Sequence, residues 1–261
     1  MDPRIDALRK EYQERIMSPE RDISVGAQPA FRYCIASSPR TGSTLLTKML
    51  GATNCAGAPA EYLNPIHIAA WHRLEPGRRI SLPGYLDEIE ARRTSANGHF
   101  GIKIHWRHVE SALGKSLGWP TVSELLGRYR KFILILRRDK ISQAVSYFRA
   151  QSTGVFHSDQ QEWLDDGGRV ACDPVLISRI VHDLLHEEAQ WRAFLRRSNV
   201  SCLEVTYEDL VAEYDVVSAR ILAFLELPGV PVPRMPDTRM RDYGADALKA
   251  AYLASLGVVE R

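Results

Sequence analysis

The chain has 261 residues, 45% hydrophobic and 25% charged, the proportions of a globular protein rather than a disordered or fibrous one. Its 34 Lys and Arg against 32 Asp and Glu leave a net charge of +2, which excludes binding to nucleic acid through the neutralisation of many phosphates. No stretch approaches the ~20 apolar residues of a membrane span, and the charge-alternating first residues exclude a signal peptide, so a cytoplasmic location is expected.

At this length a single domain over 1–261 is expected. Residues 1–30 read as a helical extension, with Ile5, Leu8, Tyr12 and Ile16 near helical period before a loop rich in Pro, Gly and Ser. It is expected to pack on its own domain. Next comes a strand, Phe31 to Ala36, a polar turn from Ser37 to Thr44, and a helix carrying Leu45, Leu46, Met49 and Leu50. Further strands are predicted at 99–104, 132–136 and 200–205, and helices at 141–151 and 175–197. The unbroken apolar run Phe132 to Leu136 suits a strand covered on both faces. Strands alternating with helices predict an α/β fold, P-loop-like and three-layered (α/β/α), with a central, mostly parallel sheet. Segments 64–98 and 152–174 lack clear periodicity and read as long insertions of the kind that form lids. Cys34, Cys55, Cys172 and Cys202 have no paired spacing. They read as mostly buried thiols, and no metal site is expected.

The turn at 37–44 is where chemistry is predicted. A strand that passes through a tight turn into a helix gathers free N–H groups and the positive end of the helix dipole, which together bind an anion. Arg40 adds charge, Thr41, Ser43 and Thr44 add hydroxyls, and Gly42 lets the backbone come close. A nucleoside-triphosphatase P-loop needs a first Gly and a Lys that are absent here. Cys34 and Arg40 have the Cys-x5-Arg spacing of cysteine-dependent phosphatases. A non-catalytic nucleotide-binding module is a further alternative.

Ser37-Ser38-Pro39-Arg40-Thr41-Gly42-Ser43-Thr44 resembles the 5′-phosphosulfate loop of sulfotransferases that use 3′-phosphoadenosine-5′-phosphosulfate (PAPS). The resemblance continues in Ala58-Pro59-Ala60-Glu61-Tyr62, in Gly101-Ile102-Lys103-Ile104-His105, and in the segment from Leu136 to Ser146. It extends to the bacterial family of the mycobacterial trehalose 2-sulfotransferase, which the chain resembles. It implies transfer of a sulfonate from PAPS to a hydroxyl of a small sugar or glycolipid acceptor, with release of adenosine 3′,5′-bisphosphate (PAP). It also implies that 64–98 and 152–174 lie on the acceptor side. Arg40, Thr41, Gly42, Ser43 and Thr44 would hold the phosphosulfate. Arg137 or Arg138, together with Ser146, would hold the 3′-phosphate, and Arg239 lines up with a basic segment near the nucleotide. Glu61 is the favoured general base, with burial raising its pKa toward working pH, and His105 is the rival. Lys103 would lie near the sulfonate in either case. The family also suggests a homodimer.

Overall fold

The computed structural model describes residues 2–77, 81–114, 121–164, 170–235 and 244–257. Helix α1 (Pro3–Met17) precedes strand β1 (Phe31–Ser37) and helix α2 (Ser43–Ala52). Helices α3 (Pro65–Leu74) and α4 (Leu82–Arg93) then lead to β2 (His99–His105). Next come α5 (Trp106–Gly114), α6 (Val122–Leu126), β3 (Lys131–Leu136), α7 (Lys140–Thr153) and α8 (Pro174–Ser198). Strand β4 (Ser201–Thr206) is followed by α9 (Tyr207–Ala212), α10 (Tyr214–Phe224) and α11 (Ala245–Ser255). Among the described residues no helix is long and apolar enough to cross a membrane.

The four strands form one parallel sheet in the order β2-β1-β3-β4, each within a residue or two of its predicted position. Alternation along β1 sends its side chains to opposite faces. Cys34 and Ala36 join a core with Trp71, Tyr85, Phe132 and Trp191. Tyr33 and Ile35 join a second core with Leu46, Met49, Ile133 and Ile221. Both faces are therefore covered, giving the expected three-layer α/β/α arrangement. A third cluster, with Phe148, Ile180, Leu184 and Tyr252, ties α7, α8 and α11 together.

Two expectations are corrected here. Segment 64–98 is largely helical, and its Trp71, Leu82, Tyr85, Leu86 and Ile89 sit in the first core. Its prolines mislead because Pro65 and Pro83 occupy the first turns of α3 and α4, behind the side-chain caps Asn64 and Ser81, where proline favours a helix. Of the cysteines only Cys34 is buried; Cys55 and Cys172 are half-buried and Cys202 is exposed.

Helix α1 packs on its own chain. It lies against α3, where Glu14 accepts from Arg73 at 2.6 Å. It also reaches the segment after α7, where Tyr12 stacks on His157 with ring centres 5.4 Å apart.

Candidate functional site

Open parallel sheets leave a crevice beyond their strands' carboxyl ends, at the point where strand order reverses. In this chain the crevice lies at the ends of β1, β2 and β3. There the turn after β1 holds Arg40 and Gly42 at φ +65° and +78°. A side chain at Gly42 would also collide with the Tyr207 ring, so this position requires glycine. Gly42 caps α2 without a side-chain hydrogen bond, so the first N–H groups of the helix have no side-chain cap. Protein groups pin the back of the turn. Gln143 Nε2 donates to Ser38 Oγ at 3.0 Å and to the Pro39 carbonyl at 2.7 Å, and Trp191 Nε1 donates to the Ser37 carbonyl at 3.0 Å.

Next to the turn, the segment ending at Ala60 adds to the edge of β2, with Lys103 N donating to the Ala60 carbonyl at 2.9 Å. This sets Glu61 over the end of that strand. Lys103 Nζ lies 2.7 Å from Glu61 Oε1 and donates toward Thr44 Oγ1 at 3.4 Å. His105 Nε2 is 3.4 Å from Glu61 Oε1, while its Nδ1 is 2.9 Å from Ser37 Oγ. Asn64 Nδ2 donates to Glu61 Oε2 at 2.9 Å, and His108 Nε2 is 3.9 Å from the same oxygen. His67 Nδ1 lies 2.9 Å from the Glu61 carbonyl.

Electrostatics corrects one expectation about Glu61. Burial by itself would raise its pKa, but Lys103, His105 and His108 outweigh burial and hold the carboxyl well below its ordinary range. As it stands, the group is a firmly ionised carboxylate and a weak base. Burial lowers the pKa of His67, and burial with His105 lowers that of His108 well below the ordinary value. Both imidazoles are therefore neutral near pH 7. Sequence reasoning missed Asn64, His67 and His108. The one available signal was spacing, because Asn64 and His67 follow Glu61 by three and six residues and His108 follows His105 by three.

The third group comes from β3 and α7. Arg40 Nε donates to Ser146 Oγ at 3.0 Å and Nη1 to the Phe156 carbonyl at 2.5 Å. Arg137 Nη1 donates to the Arg40 carbonyl at 3.4 Å, its guanidinium lies over the Tyr207 ring at 4.9 Å, and its Nε is buried without a hydrogen-bond partner. Thus Arg40, Arg137 and Ser146 converge. Arg138 does not join them: it is exposed and its Nη2 pairs with Asp209 Oδ1 at 2.7 Å. Arg239 lies outside the described residues. Among the described residues no group of three His, Cys, Asp or Glu is placed to hold a metal ion.

The cysteine-phosphatase alternative fails on Cys34. Its thiol is fully buried in the core, and burial pushes its pKa well above the ordinary value, the opposite of an activated nucleophile.

A cleft of about 440 Å³, including its open mouth, is lined by Asn64 and His67, the two residues that hydrogen-bond Glu61 from the start of α3. Arg9, Tyr12 and Gln13 of α1 line it together with them, and His157 lines it next to Tyr12, on which it stacks. Tryptophan faces on which a sugar could stack are scarce beside the site, because Trp71 and Trp106 are core residues. Trp163 packs edge-on against Tyr12 at 6.0 Å.

A model of the Stf0 sulphotransferase family matches residues 32–242. The chain is 24% identical over 221 residues to a trehalose 2-sulfotransferase of Mycobacterium tuberculosis, a match covering 73% of this chain and 82% of that one. It is 25% identical over 245 residues to a trehalose 2-sulfotransferase of Mycolicibacterium smegmatis, covering 82% and 91%. A sulfotransferase structure from Alicyclobacillus acidocaldarius aligns over 90% of this chain and 98% of its own at 15% identity, with a TM-score of 0.44.

Proposed function

Because the chain belongs to the Stf0 sulphotransferase family, we propose that it transfers a sulfonate from PAPS to a hydroxyl of a carbohydrate or glycolipid. One observation carries the reading: Lys103 stands between the Thr44 hydroxyl at the anion-binding turn and the Glu61 carboxylate. An anion site thus lies within one side chain of a candidate proton acceptor.

The residues fit the donor. The uncapped start of α2 offers backbone N–H groups, and the Arg137 Nε that lacks a partner is suited to a second anionic group. In this reading Arg40, Thr41, Gly42, Ser43 and Thr44 hold the 5′ end, and Arg137 with Ser146 holds the 3′-phosphate. Arg138, facing Asp209, has no part in it. When bound, the donor supplies the sulfonate and departs as PAP. Its S–O bond to the 5′-phosphate breaks as a new S–O bond forms to the acceptor oxygen. Arg40 and the N–H groups of the turn stabilise charge on the departing phosphate. Glu61 takes the proton of the acceptor hydroxyl, and Asn64 fixes its second oxygen. The cleft beside α1 admits the acceptor.

Isothermal titration calorimetry with PAP, using adenosine 5′-monophosphate and ATP as controls, tests the donor assignment. Micromolar binding that requires the 3′-phosphate is expected, and loss of discrimination among the three nucleotides would sink it. Transfer of radioactive sulfonate from PAPS to sugars, trehalose among them, then separates an enzyme from a binding module.

A further inference from the structure

Within the sulfotransferase reading, on which this step rests, Glu61 is held in a form unsuited to its task. A carboxylate 2.7 Å from a buried ammonium gains little by accepting a proton, since protonation would leave the Lys103 charge without its partner. Yet the same ammonium already leans toward the anion-binding turn, 3.4 Å from Thr44 Oγ1. Lysine carries a compact charge on a flexible four-carbon stem with three rotatable donors. Two anionic positions, one permanent and one filled by a ligand, are therefore within reach of one buried cation.

We infer that Lys103 is a two-position cation: it holds Glu61 inactive in the free protein and moves to the 5′ anionic group of the donor, so that donor binding itself releases the base.

The other groups around Glu61 support this division of labour. His105 comes from β2, His108 from α5, and His67 and Asn64 from the start of α3. Asn64 is uncharged, and burial keeps His67 and His108 neutral. The Ser37 hydroxyl meets the far side of the His105 ring and carries no charge. Among the described residues, Lys103 is the ammonium within ion-pair distance of Glu61, at 2.7 Å, and His105, which also favours the carboxylate, stands farther off at 3.4 Å. Once the lysine charge is shared with the donor, the carboxylate recovers the share of its basicity that Lys103 withheld, when an acceptor can use it. The proton from the acceptor oxygen then passes to a Glu61 oxygen while the sulfonate passes to that acceptor oxygen.

Coupling between two sites is reciprocal, which gives a test that needs no acceptor. If donor and Glu61 compete for Lys103, neutralising Glu61 frees the lysine for the nucleotide. Glu61→Gln is expected to tighten PAP binding about 5-fold or more, the lower end of typical couplings. Binding of adenosine 3′-monophosphate, which has no 5′ anion, should stay unchanged. In a Lys103→Met background the gain from Glu61→Gln should shrink toward none, and Lys103→Arg should retain part of it. Thermal melts confirm that each variant is folded. An unchanged PAP affinity in Glu61→Gln would overturn the inference, as would an equal gain in the Lys103→Met background, which would reflect only the removal of a nearby negative charge. Both results leave the donor reading standing, provided the unaltered protein binds PAP. Failure of the unaltered protein to bind PAP would overturn the donor reading and, with it, this inference.

Discussion

Arg40 shows how one residue joins two halves of a site. Its left-handed backbone, at φ +65°, is costly for a residue with a Cβ, on the order of 1–2 kcal/mol. Its side chain spans from the turn to Ser146 on α7, so the groups assigned to the two ends of the nucleotide are bonded through it. Arg40→Ala removes both the charge near the departing phosphate and this bridge. Turnover is expected to fall about 100-fold or more, with weaker PAP binding, as measured by steady-state kinetics and calorimetry. A change in affinity with turnover intact would remove Arg40 from the chemistry. At this scale the motifs pick out Arg40, Gly42 and Ser146, and the structure brings Arg40 and Ser146 into contact beside the turn that Gly42 closes. The sequence leaves Arg137 and Arg138 as equal candidates, because spacing does not say which way adjacent residues at a strand end point. Only the acidic start of α9, far along the chain, accounts for Arg138 turning outward to Asp209.

At the scale of elements, α1 matters most. The family model matches from residue 32 onward, yet α1 lines the cleft that Asn64 and His67 share. The helix is anchored mainly by its ends, with Ile5 and Met17 buried, while Tyr12 and Gln13 between them line the cleft. Substituting Tyr12 and Gln13 with Ala should therefore raise the acceptor KM by about 10-fold, equal to ~1.4 kcal/mol, and leave PAP affinity as it was. Kinetics with whichever sugar accepts sulfonate provide the check; equal losses for donor and acceptor would point instead to general unfolding of the site. Amphipathic spacing revealed α1 in the sequence but not its neighbour, because helical period carries no information about which surface a helix covers. Helices α3 and α4 were overlooked for a different reason: proline breaks a helix interior and favours its first turn, and composition alone does not distinguish the two positions.

Across the whole molecule, the groups gathered at the sheet's carboxyl end make stability depend on pH. His67 and His108 have pKa values lowered in the fold from 6.5, so below that value the unfolded chain binds protons that the native one refuses. Their contribution is complete above pH 6.5 and is lost as pH falls toward the lowered values. Glu61, held below 4.5, contributes fully above pH 4.5 and loses that contribution as pH falls through its folded value. Asp22 acts in the opposite sense, because burial raises its pKa. Its penalty at neutral pH is relieved in acid. The expected net result is a melting temperature that declines in two stages, first below pH 6.5 and then below 4.5, by about 2–4 °C for each ~1 kcal/mol lost. Circular dichroism melts would show it, and His108→Asn should soften the first stage. A flat profile between pH 7.5 and 5.5 would mean that the buried imidazoles take up protons without cost. The strands and their parallel sheet follow from local apolar runs alternating with helices, whereas the order β2-β1-β3-β4 emerges only in the fold. The charge balance around Glu61 also emerges only there, because it depends on groups from β2, α3 and α5 that meet only once the fold is complete.

The indole of Trp191 donates to the Ser37 carbonyl, and Trp106, directly after His105, packs edge-on against it at 5.0 Å between ring centres. The first residue of the anion-binding turn and the last residue of β2 are thus each joined, by a hydrogen bond or a peptide bond, to one member of a rigid indole pair. Two nearly perpendicular chromophores at that distance couple their ultraviolet transitions. A rearrangement of the turn would therefore be visible in near-ultraviolet circular dichroism and intrinsic fluorescence, so the molecule carries its own optical reporter and needs no attached label.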